Sequence, residues 1–544
     1  MNKLIECVPN FSEGRDVSII KQITDEIEKV EGVKLLNVDP GKATNRTVVT
    51  LVGNPEACVV ACFNAIKKAG ELIDMSKHKG EHPRMGATDV CPFVPIGGIS
   101  MEETAGYAQK LAERVGKELK IPAYLYEYAQ KNPARKNLSI IREGEYEGFF
   151  KKIKKAEWKP DFGPAEYDAK RGATVIGARD FLIAYNANLN TTSVRRANSV
   201  AFDVREAGRK VNDVVQPGIC KSVKGIGWFI EEYGVAQVSM NLTNTKITPL
   251  HIAFDECVKS AYNRGLRVTG SELVGLVPLQ SMIEAGKYFL KKQKRSVGVS
   301  ESELIRIAII SMGLDELSPF KPEERIIEYL LKDDSKTKLV KMDLSAFADE
   351  TASESPAPGG GSISAYVGAL GISLGTMVAN LSSHKSGWDE RWEEFSKWAE
   401  KGQRIKNELL KLVDEDTNAF NKIMNAFGLP KSSEEEKSVR TKAIQDATKY
   451  ATEIPFKVMQ LSYESMEIIE AMASAGNPNS VSDAGVGALC ARSAVMGAFL
   501  NVKINAKGLS DKRFSKNIVS KGKNIEEKTK KAEAKILSIV RRKI

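Results

Sequence analysis

"VKLLNVDPGKATNRTVVTLVG", residues 33–53, decides the fold. Apolar and β-branched residues run on both sides of Pro40-Gly41, so the stretch reads as two strands, 33–39 and 45–52, joined by a turn at that dipeptide. Its flanks complete a unit. "LIECV" (4–8) is a short apolar strand, and residues 16–30 set Ile19, Ile20, Ile23 and Ile27 on one helical face. Asn54 and Pro55 supply the cap and first position of a helix over 54–73. "DVCPFVPI" (89–96) closes the unit as a strand. The order βαββαβ is that of a ferredoxin-like sandwich.

The order recurs. "GATVIGARDFLIAYNANL" (172–189) is strand-rich, 191–208 reads as helix, 225–243 as two strands, Thr248-Pro249 opens a helix to Arg264, and 266–278 ends the unit. Beyond the polar run "KDDSKTK" (332–338) only helical periods remain. The expected fold is multi-domain and α+β, then all-α. Two tandem ferredoxin-like βαββαβ sandwiches occupy 1–180 and 181–331, a linker 332–339, and a helical bundle 340–544.

At 544 residues the chain exceeds one core. Its net charge of +10, from 80 basic and 70 acidic residues, suits anionic small molecules. No basic–aromatic stripe points to nucleic acid. Seven scattered cysteines without a C-x-x-C pair read as reduced thiols of a cytoplasmic protein, and "MNKLIECVPNFSEG" lacks the apolar run of a signal peptide. Two apolar stretches, 363–381 (with Gly371-x-x-x-Gly375) and 484–502 (with Arg492), are rich in small residues. They read as close-packed bundle helices rather than membrane spans, with more packing surface than one bundle hides, so a homo-oligomer is expected.

Two of the four histidines stand in "HKGEHPRMG" (78–86). His78 and His82 match H-x-x-E-H, which binds zinc only on a helix. Gly80 and Pro83 break a helix there, so the stretch is a loop, no metal is expected, and loop chemistry and a plain solvated loop stay open. The helix over 409–427 carries an apolar stripe of Leu409, Val413, Phe420, Ile423 and Phe427. Asp416 fills the gap on that face, while Asp414 points about 200° away. A carboxylate so placed has its pKa raised by burial unless a cation or donor pairs with it. "PAPGGGS" (356–362) lacks the Lys-Ser/Thr of a nucleotide loop. Gly359, Gly360, Gly361 and Ser362 open a helix N-terminus able to hold a polar or anionic ligand, or else make a tight packing turn. Asn477, Ser482 and Asp483 precede the second small-residue helix as candidate pocket residues.

Longer segments carry a resemblance. "IECVPNFSEGRD" (5–16), "NVDPGKATNRTVVTLVG" (37–53), "HKGEHPRMGATDVCPFVPI" (78–96), "AQVSMNLTN" (236–244) and "GSELVGLVP" (270–278) resemble glutamate formiminotransferases. "SPAPGGGSISA" (355–365), "LVDEDTNAFNKIMNAFGLPK" (412–431), "GNPNSVSDAGV" (476–486) and "GAFLNVKIN" (497–505) resemble formiminotetrahydrofolate cyclodeaminases. Together they are similar to the bifunctional formimidoyltransferase-cyclodeaminase family of histidine degradation. The resemblance implies transfer of a formimino group from N-formimino-L-glutamate to N5 of tetrahydrofolate, then cyclisation to 5,10-methenyltetrahydrofolate with release of ammonia. Tetrahydrofolate is co-substrate, and neither metal nor nucleotide is implied.

The resemblance makes His82 the transferase acid–base group, Asp416 the cyclodeaminase acid–base group, and 163–172 the folate-contact segment: Gly163, Pro164, Ala165, Glu166, Tyr167, Asp168, Ala169, Lys170, Arg171 and Gly172. Residues 167–171 are more charged than the family pattern. A proton-shuttling imidazole is usually oriented by a carboxylate, for which Asp39 is the candidate, a turn aspartate being the alternative. Arg84 is placed to grip a substrate carboxylate or to be a surface arginine. Two other readings stand beside this one. The first is a related one-carbon folate enzyme, by formyl transfer or as a methenyltetrahydrofolate cyclohydrolase. The second is a folate-binding scaffold without turnover.

Overall fold

The structure, a computed structural model, describes residues 3–212, 214–331 and 338–544. Most of the expected linker therefore lies outside the described residues. The chain forms two compact units.

The first unit opens with β1 (Leu4–Cys7), β2 (Asn10–Phe11), β3 (Val33–Gly41), β4 (Arg46–Gly53) and β5 (Thr88–Gly97). β1 and β2 are two pieces of one line, interrupted at Pro9, that pairs antiparallel with β4 on one side and β5 on the other. The spatial order β3-β4-β1/β2-β5 is the split βαββαβ arrangement expected from the sequence. β6 (Ala123–Glu127) and β7 (Thr174–Ala178) extend the sheet, with β7 parallel to β5 and β6 parallel to β7.

The β3–β4 turn differs from expectation. Pro40 and Gly41 stay in the ladder, opposite Thr47 and Arg46, and the chain reverses at 42–45, with Asn45 at φ 46°. Pro40 is tolerated because β3 is an edge strand, where the missing N–H faces no partner.

Helices Val17–Glu28, Pro55–Leu72 and Met101–Arg114 pack on the sheet. In the first, the Asp16 side chain accepts from the N–H groups of Ser18 and Ile19, and Ile20, Ile23 and Ile27 are buried. Each such isoleucine contributes about 1.5–3 kcal/mol of burial.

The second sheet is β8 (Ile183–Leu189), β11 (Val223–Ile230), β12 (Val235–Leu242) and β13 (Val268–Val274), in the order β11-β12-β8-β13, which repeats the first topology. Between β8 and β11 lies a small hairpin, β9 (Arg209–Val211) with β10 (Val214–Gln216). β7 closes the first sheet and β8 opens the second, so the change at 180/181 falls between two strands.

The second unit is helical: Gly360–Ser383, Trp392–Phe427, Glu434–Ala475, Val481–Lys507 and Lys512–Lys543, with no strand among its described residues. Residues 286–307, assigned above to the second sandwich, belong to this unit. The Ser396 hydroxyl accepts from the Val297 N–H at 3.0 Å, Asn380 Nδ2 donates to the Gly298 carbonyl at 2.9 Å, and Lys287 pairs with Glu400. The two small-residue stretches lie in the antiparallel Gly360–Ser383 and Val481–Lys507 helices. Both are long and apolar enough to cross a bilayer, and they are 61% and 50% buried within the unit over their most apolar windows. Gly371 abuts the Gly487 carbonyl.

One carboxyl of the first sheet is costly. Glu6 on β1 is 2% exposed, its Oε2 has no hydrogen-bond partner, and burial pushes it up to about 7. An unfolded glutamate ionises near 4.5. The native state therefore holds more protons between those values, and stability falls as pH rises from 4.5 to 7. Replacing Glu6→Gln is expected to stabilise the first unit by on the order of 1–3 kcal/mol at pH 8 and little at pH 4.5. Urea unfolding at the two pH values checks this, and equal effects at both would contradict it.

Candidate active sites

Residues 74–87 connect the Pro55–Leu72 helix to β5 as a loop, as Gly80 and Pro83 dictate. The loop is pinned to the 42–45 turn: Asn45 Nδ2 donates to the Lys79 carbonyl at 3.0 Å, and His78 Nε2 donates to the Asn45 carbonyl at 2.8 Å. The other His78 nitrogen accepts from Arg84 Nε at 3.1 Å. Both ring nitrogens of His78, one as donor and one as acceptor, are thus committed within the loop, and no three metal-ligating side chains converge among the described residues.

His82 differs. Its Nδ1 lies 2.7 Å from the Pro83 carbonyl, which can only accept. The proton is therefore on Nδ1, and Nε2 carries the lone pair. Burial, with the Arg46 and Arg142 guanidiniums, disfavours the charged ring and pushes its pKa down to about 3, although the ring keeps partial solvent exposure.

Those two arginines are held by one carboxylate. Asp89, at the start of β5, is fully buried and bonds Arg46 from β4, Arg142 from the Leu138–Arg142 helix, and the Met85 N–H at 3.0 Å. Burial works to raise this carboxyl; Arg142 and Arg46 overcome it and hold it at about 2. Arg46 Nε also donates to Asn10 Oδ1 at 3.0 Å.

Asp39, expected to orient the ring, is bonded elsewhere, and the carboxylate whose charge is felt at His82 is Asp89. Asp39 sits on the edge strand β3 and turns toward the second sandwich, where its Oδ2 accepts the Gly275 N–H at 2.8 Å and lies 3.5 Å from Arg325. Arg84 is corrected as well. It is buried and bidentate on Glu147, at 2.9 and 2.7 Å, with Glu145 beside it, so an internal carboxylate already fills its fork. It forms one wall of a polar cavity of about 490 Å³ with Lys79, Gly80, Glu81 and Gly144.

The 163–172 segment ends beside the histidine loop. The Ala87 N–H donates to the Arg171 carbonyl, and the Ala173 N–H to that of Met85. Its extra charges serve the segment itself. Asp168 accepts from the N–H groups of Lys170 and Arg171 and pairs with the Arg171 side chain, while Lys170 donates to the Glu71 carbonyl. Tyr167 packs against Tyr146, Phe149 and Phe150. Gly163, Ala165, Glu166, Ala169 and Lys170 are exposed, Pro164 is partly so, and Gly172 is buried.

In the helical unit Asp416 meets the glycine turn. A Cβ on Gly361 would lie 2.1 Å from Asp416 Oδ1, so only glycine admits the carboxyl. The Ser362 hydroxyl lies 2.8 Å from the Val413 carbonyl and 3.2 Å from Asp416 Oδ2, and its single proton serves the nearer oxygen first. Burial raises the Asp416 pKa, with hydrogen bonds from Ser362 opposing.

Asp416 is partly exposed, however, and Asp414 is the more buried of the two, at 7%. Asp414 does point elsewhere, but that side is covered too, and its Oδ1 accepts the Leu339 N–H at 2.8 Å. The apolar stripe also ends earlier than expected: Phe427 is half exposed.

Next to Asp416, Glu415 accepts from the Tyr450 hydroxyl and lies 3.6 Å from Lys422. Lys422 and Tyr450 line a groove of about 430 Å³ with Asn425, Ala426, Leu429 and Ala447. Asn501 stands against Gly360.

Asn477, Ser482 and Asp483 are not at this site. The Asn477 N–H donates to Ser382 Oγ, at the far end of the Gly360–Ser383 helix, whose 24 residues span roughly 36 Å. Ser482 is exposed, and Asp483 lies in the first turn of its helix.

Comparison with known proteins finds three family matches along the chain. The formiminotransferase domain, N-terminal subdomain, matches residues 4–179, the formiminotransferase domain 184–332, and formiminotransferase-cyclodeaminase 343–524. The formimidoyltransferase-cyclodeaminase of Gallus gallus is 43% identical over 544 residues, all of both chains. The chain belongs to the formimidoyltransferase-cyclodeaminase family. Its parts have separate relatives. The glutamate formimidoyltransferase of Thermoplasma acidophilum is 44% identical over 290 residues, 53% of this chain and 92% of its own. A methenyltetrahydrofolate cyclohydrolase of Methylorubrum extorquens is 39% identical over 172 residues, 32% of this chain and 83% of its own.

Arginine 142 offers a direct test of the electrostatics. Removing its charge in Arg142→Gln is expected to raise the His82 ring pKa by on the order of one unit. With four histidines in the chain, ring NMR titration resolves the change. An unmoved His82 resonance would contradict the arrangement.

Proposed function

We propose that the chain is a bifunctional folate enzyme of histidine degradation. It transfers the formimino group of N-formimino-L-glutamate to N5 of tetrahydrofolate, then closes 5-formiminotetrahydrofolate to 5,10-methenyltetrahydrofolate and expels ammonia. The observation that carries the first step is the locked His82 tautomer. A neutral imidazole with Nε2 open takes the N5 proton as N5 attacks the formimino carbon, then returns it to the departing glutamate nitrogen. Asp89 acts through the two arginines and keeps them beside the ring. The 163–172 segment, adjoining the histidine loop, supplies the folate contacts through its exposed residues.

In the second step Asp416 is the acid–base group. Its raised pKa lets it hold a proton for the leaving ammonia. Gly359–Ser362 open the helix beside it; the Ser362 N–H is bonded to Asp416 itself, and the glycine N–H groups before it can meet a polar or anionic part of the folate. The groove beside Tyr450 suits a flat aromatic ring. Asn477, Ser482 and Asp483 could join such a site only from another copy. Neither step calls for a metal or a nucleotide. The cyclohydrolase relative favours a second reading for the helical unit, hydrolysis of methenyltetrahydrofolate.

Two apolar ridges support self-association. Leu370, Met377 and Leu381 are exposed on one helix, and Val486, Leu489, Leu500 and Ile504 on its antiparallel neighbour. Seven free cysteines, six of them buried, suit a reducing cytoplasm; fractionation into an oxidising compartment would contradict this.

His82→Ala is expected to abolish formimino transfer while ammonia release from supplied 5-formiminotetrahydrofolate persists, and Asp416→Asn the reverse, each by at least about 10²-fold. A coupled assay with formyl donors and methenyltetrahydrofolate as alternative substrates tests all three readings. Near-normal transfer by folded His82→Ala sinks the assignment. Light scattering is expected to give a multiple of 59.7 kDa, and Leu500→Glu with Ile504→Glu a smaller particle. A wild-type monomer would refute self-association.

A further inference from the structure

Lys79, Gly80, Glu81 and Arg84, on either side of His82, line the polar cavity of about 490 Å³ together with Glu145 and Glu147. The 163–172 segment adjoins the same walls. Tyr146, between the two lining glutamates, donates from its hydroxyl to the Ala169 carbonyl at 2.5 Å, and its ring centroid lies 5.8 Å from that of Tyr167. Its N–H meets the Arg84 carbonyl at 2.9 Å. The cavity therefore lies between the histidine loop and the segment assigned above to folate.

The charged groups of the cavity are of two kinds. Arg84, Glu147 and one oxygen of Glu145 are spent on one another. Lys79 and Glu81 are exposed, and their side chains make no hydrogen bond or ion pair among the described residues. Their backbone is nonetheless fixed. A Cβ on Gly80, between them, would come within 2.1 Å of the Thr44 carbonyl oxygen. The Glu81 N–H donates to the Ala43 carbonyl at 3.3 Å, and the Lys79 carbonyl accepts from Asn45 Nδ2 at 3.0 Å. A cation and a carboxylate, preset on one wall and unpaired, suit a ligand that carries both charges.

We infer that this cavity receives the formimino donor, with Glu81 against the formimino group and Lys79 against a carboxylate of the glutamate portion. The inference rests on the transferase reading above and adds to it the site of the second substrate. The formimino group is an amidine, protonated and cationic at neutral pH, and the rest of the donor is a dicarboxylate. Arg46 and Arg142 on the single carboxylate of Asp89 already leave one positive charge, so an amidinium gains nothing there. In the cavity three carboxylates face two cations, and Glu81 immediately precedes His82. An amidinium drawn to Glu81 brings its carbon to the histidine loop, and the positive charge makes that carbon the more open to attack by N5.

Glu81→Gln is expected to raise the KM for N-formimino-L-glutamate at least about tenfold, as for loss of a charged hydrogen bond, and Lys79→Gln to do likewise. In both, kcat and the KM for tetrahydrofolate should stay within about threefold of wild type, and ammonia release should be unchanged. N-formyl-L-glutamate keeps both carboxylates but is uncharged at the transferred group, so it tells the two contacts apart. Its inhibition constant should hold in Glu81→Gln and rise about tenfold in Lys79→Gln. An unchanged donor KM in either variant, equal sensitivity of the formyl and formimino compounds to Glu81→Gln, or a joint fall of both activities would overturn the inference. Calorimetric titration with N-formimino-L-glutamate, without folate, separates this from failure of the transferase reading. Should wild type not transfer the group, donor binding that weakens about tenfold in Glu81→Gln would still support the cavity, and equal binding by both proteins, or none, would refute it.

Discussion

The first unit depends on one buried carboxylate. Asp89 has no solvent contact, yet it stays ionised because guanidiniums from two different elements converge on it. Arg46 comes from β4, Arg142 from a helix far along the chain, and the Met85 N–H from the histidine loop. Removing one partner of such a group leaves the others charged and unsatisfied, at roughly 3–5 kcal/mol. The same convergence that ties strand, helix and loop together gives His82 its electrostatic surroundings. Stability and chemistry therefore share an interaction, and the loop cannot move without Asp89 losing the Met85 N–H.

Much of this was legible in the sequence because it is local. Asp16 and Asn54 cap the helices they precede, the isoleucines of 16–30 face inward, and both sandwiches follow the hydrophobic periods read from the sequence, except that 174–178, read with the second, pairs in the first sheet. Gly80 and Pro83 were enough to turn a zinc-like spacing into a loop. The errors concern partners distant in sequence. No period announces that Asp89 rather than Asp39 stands by His82, since that follows from which face of an edge strand meets the second sandwich. Arg84 looked like a ligand-binding arginine because Glu147, which fills its fork, lies 63 residues away. β6 and β7 join the first sheet in parallel, and parallel partners are chosen by tertiary packing. Residues 286–307 read as continuous with the second sandwich, whereas their contacts with Ser396, Asn380 and Glu400 put them in the helical unit.

The helical unit shows the limit of a one-face argument. A stripe on one helix correctly separated Asp414 from Asp416, but it assumed that one side is core and the other water. The Trp392–Phe427 helix is covered on two sides at this level, by the Gly360–Ser383 helix and by the 338–341 segment, so Asp414 is buried and Asp416 partly covered. What distinguishes them is the neighbour. Asp414 is tied to a backbone N–H and serves structure. Asp416 faces a glycine that leaves it room and a serine whose proton is turned mainly to Val413.

The two sites apply the same physics to groups of opposite charge. Burial disfavours whichever form carries charge, so it lowers the pKa of an imidazole and raises that of a carboxyl. At His82 the two arginines push in the same direction as burial, and the result is a ring that begins the reaction empty of its extra proton. At Asp416 the hydrogen bonds from Ser362 oppose burial, with no cation among the described residues doing so. The result is a carboxyl disposed to keep its proton. The transferase begins by accepting a proton from folate N5, and the cyclodeaminase must deliver one to ammonia. The two groups are not interchangeable on these grounds. An imidazole buried against Gly361 would be kept neutral, with no proton to spare for the leaving amine.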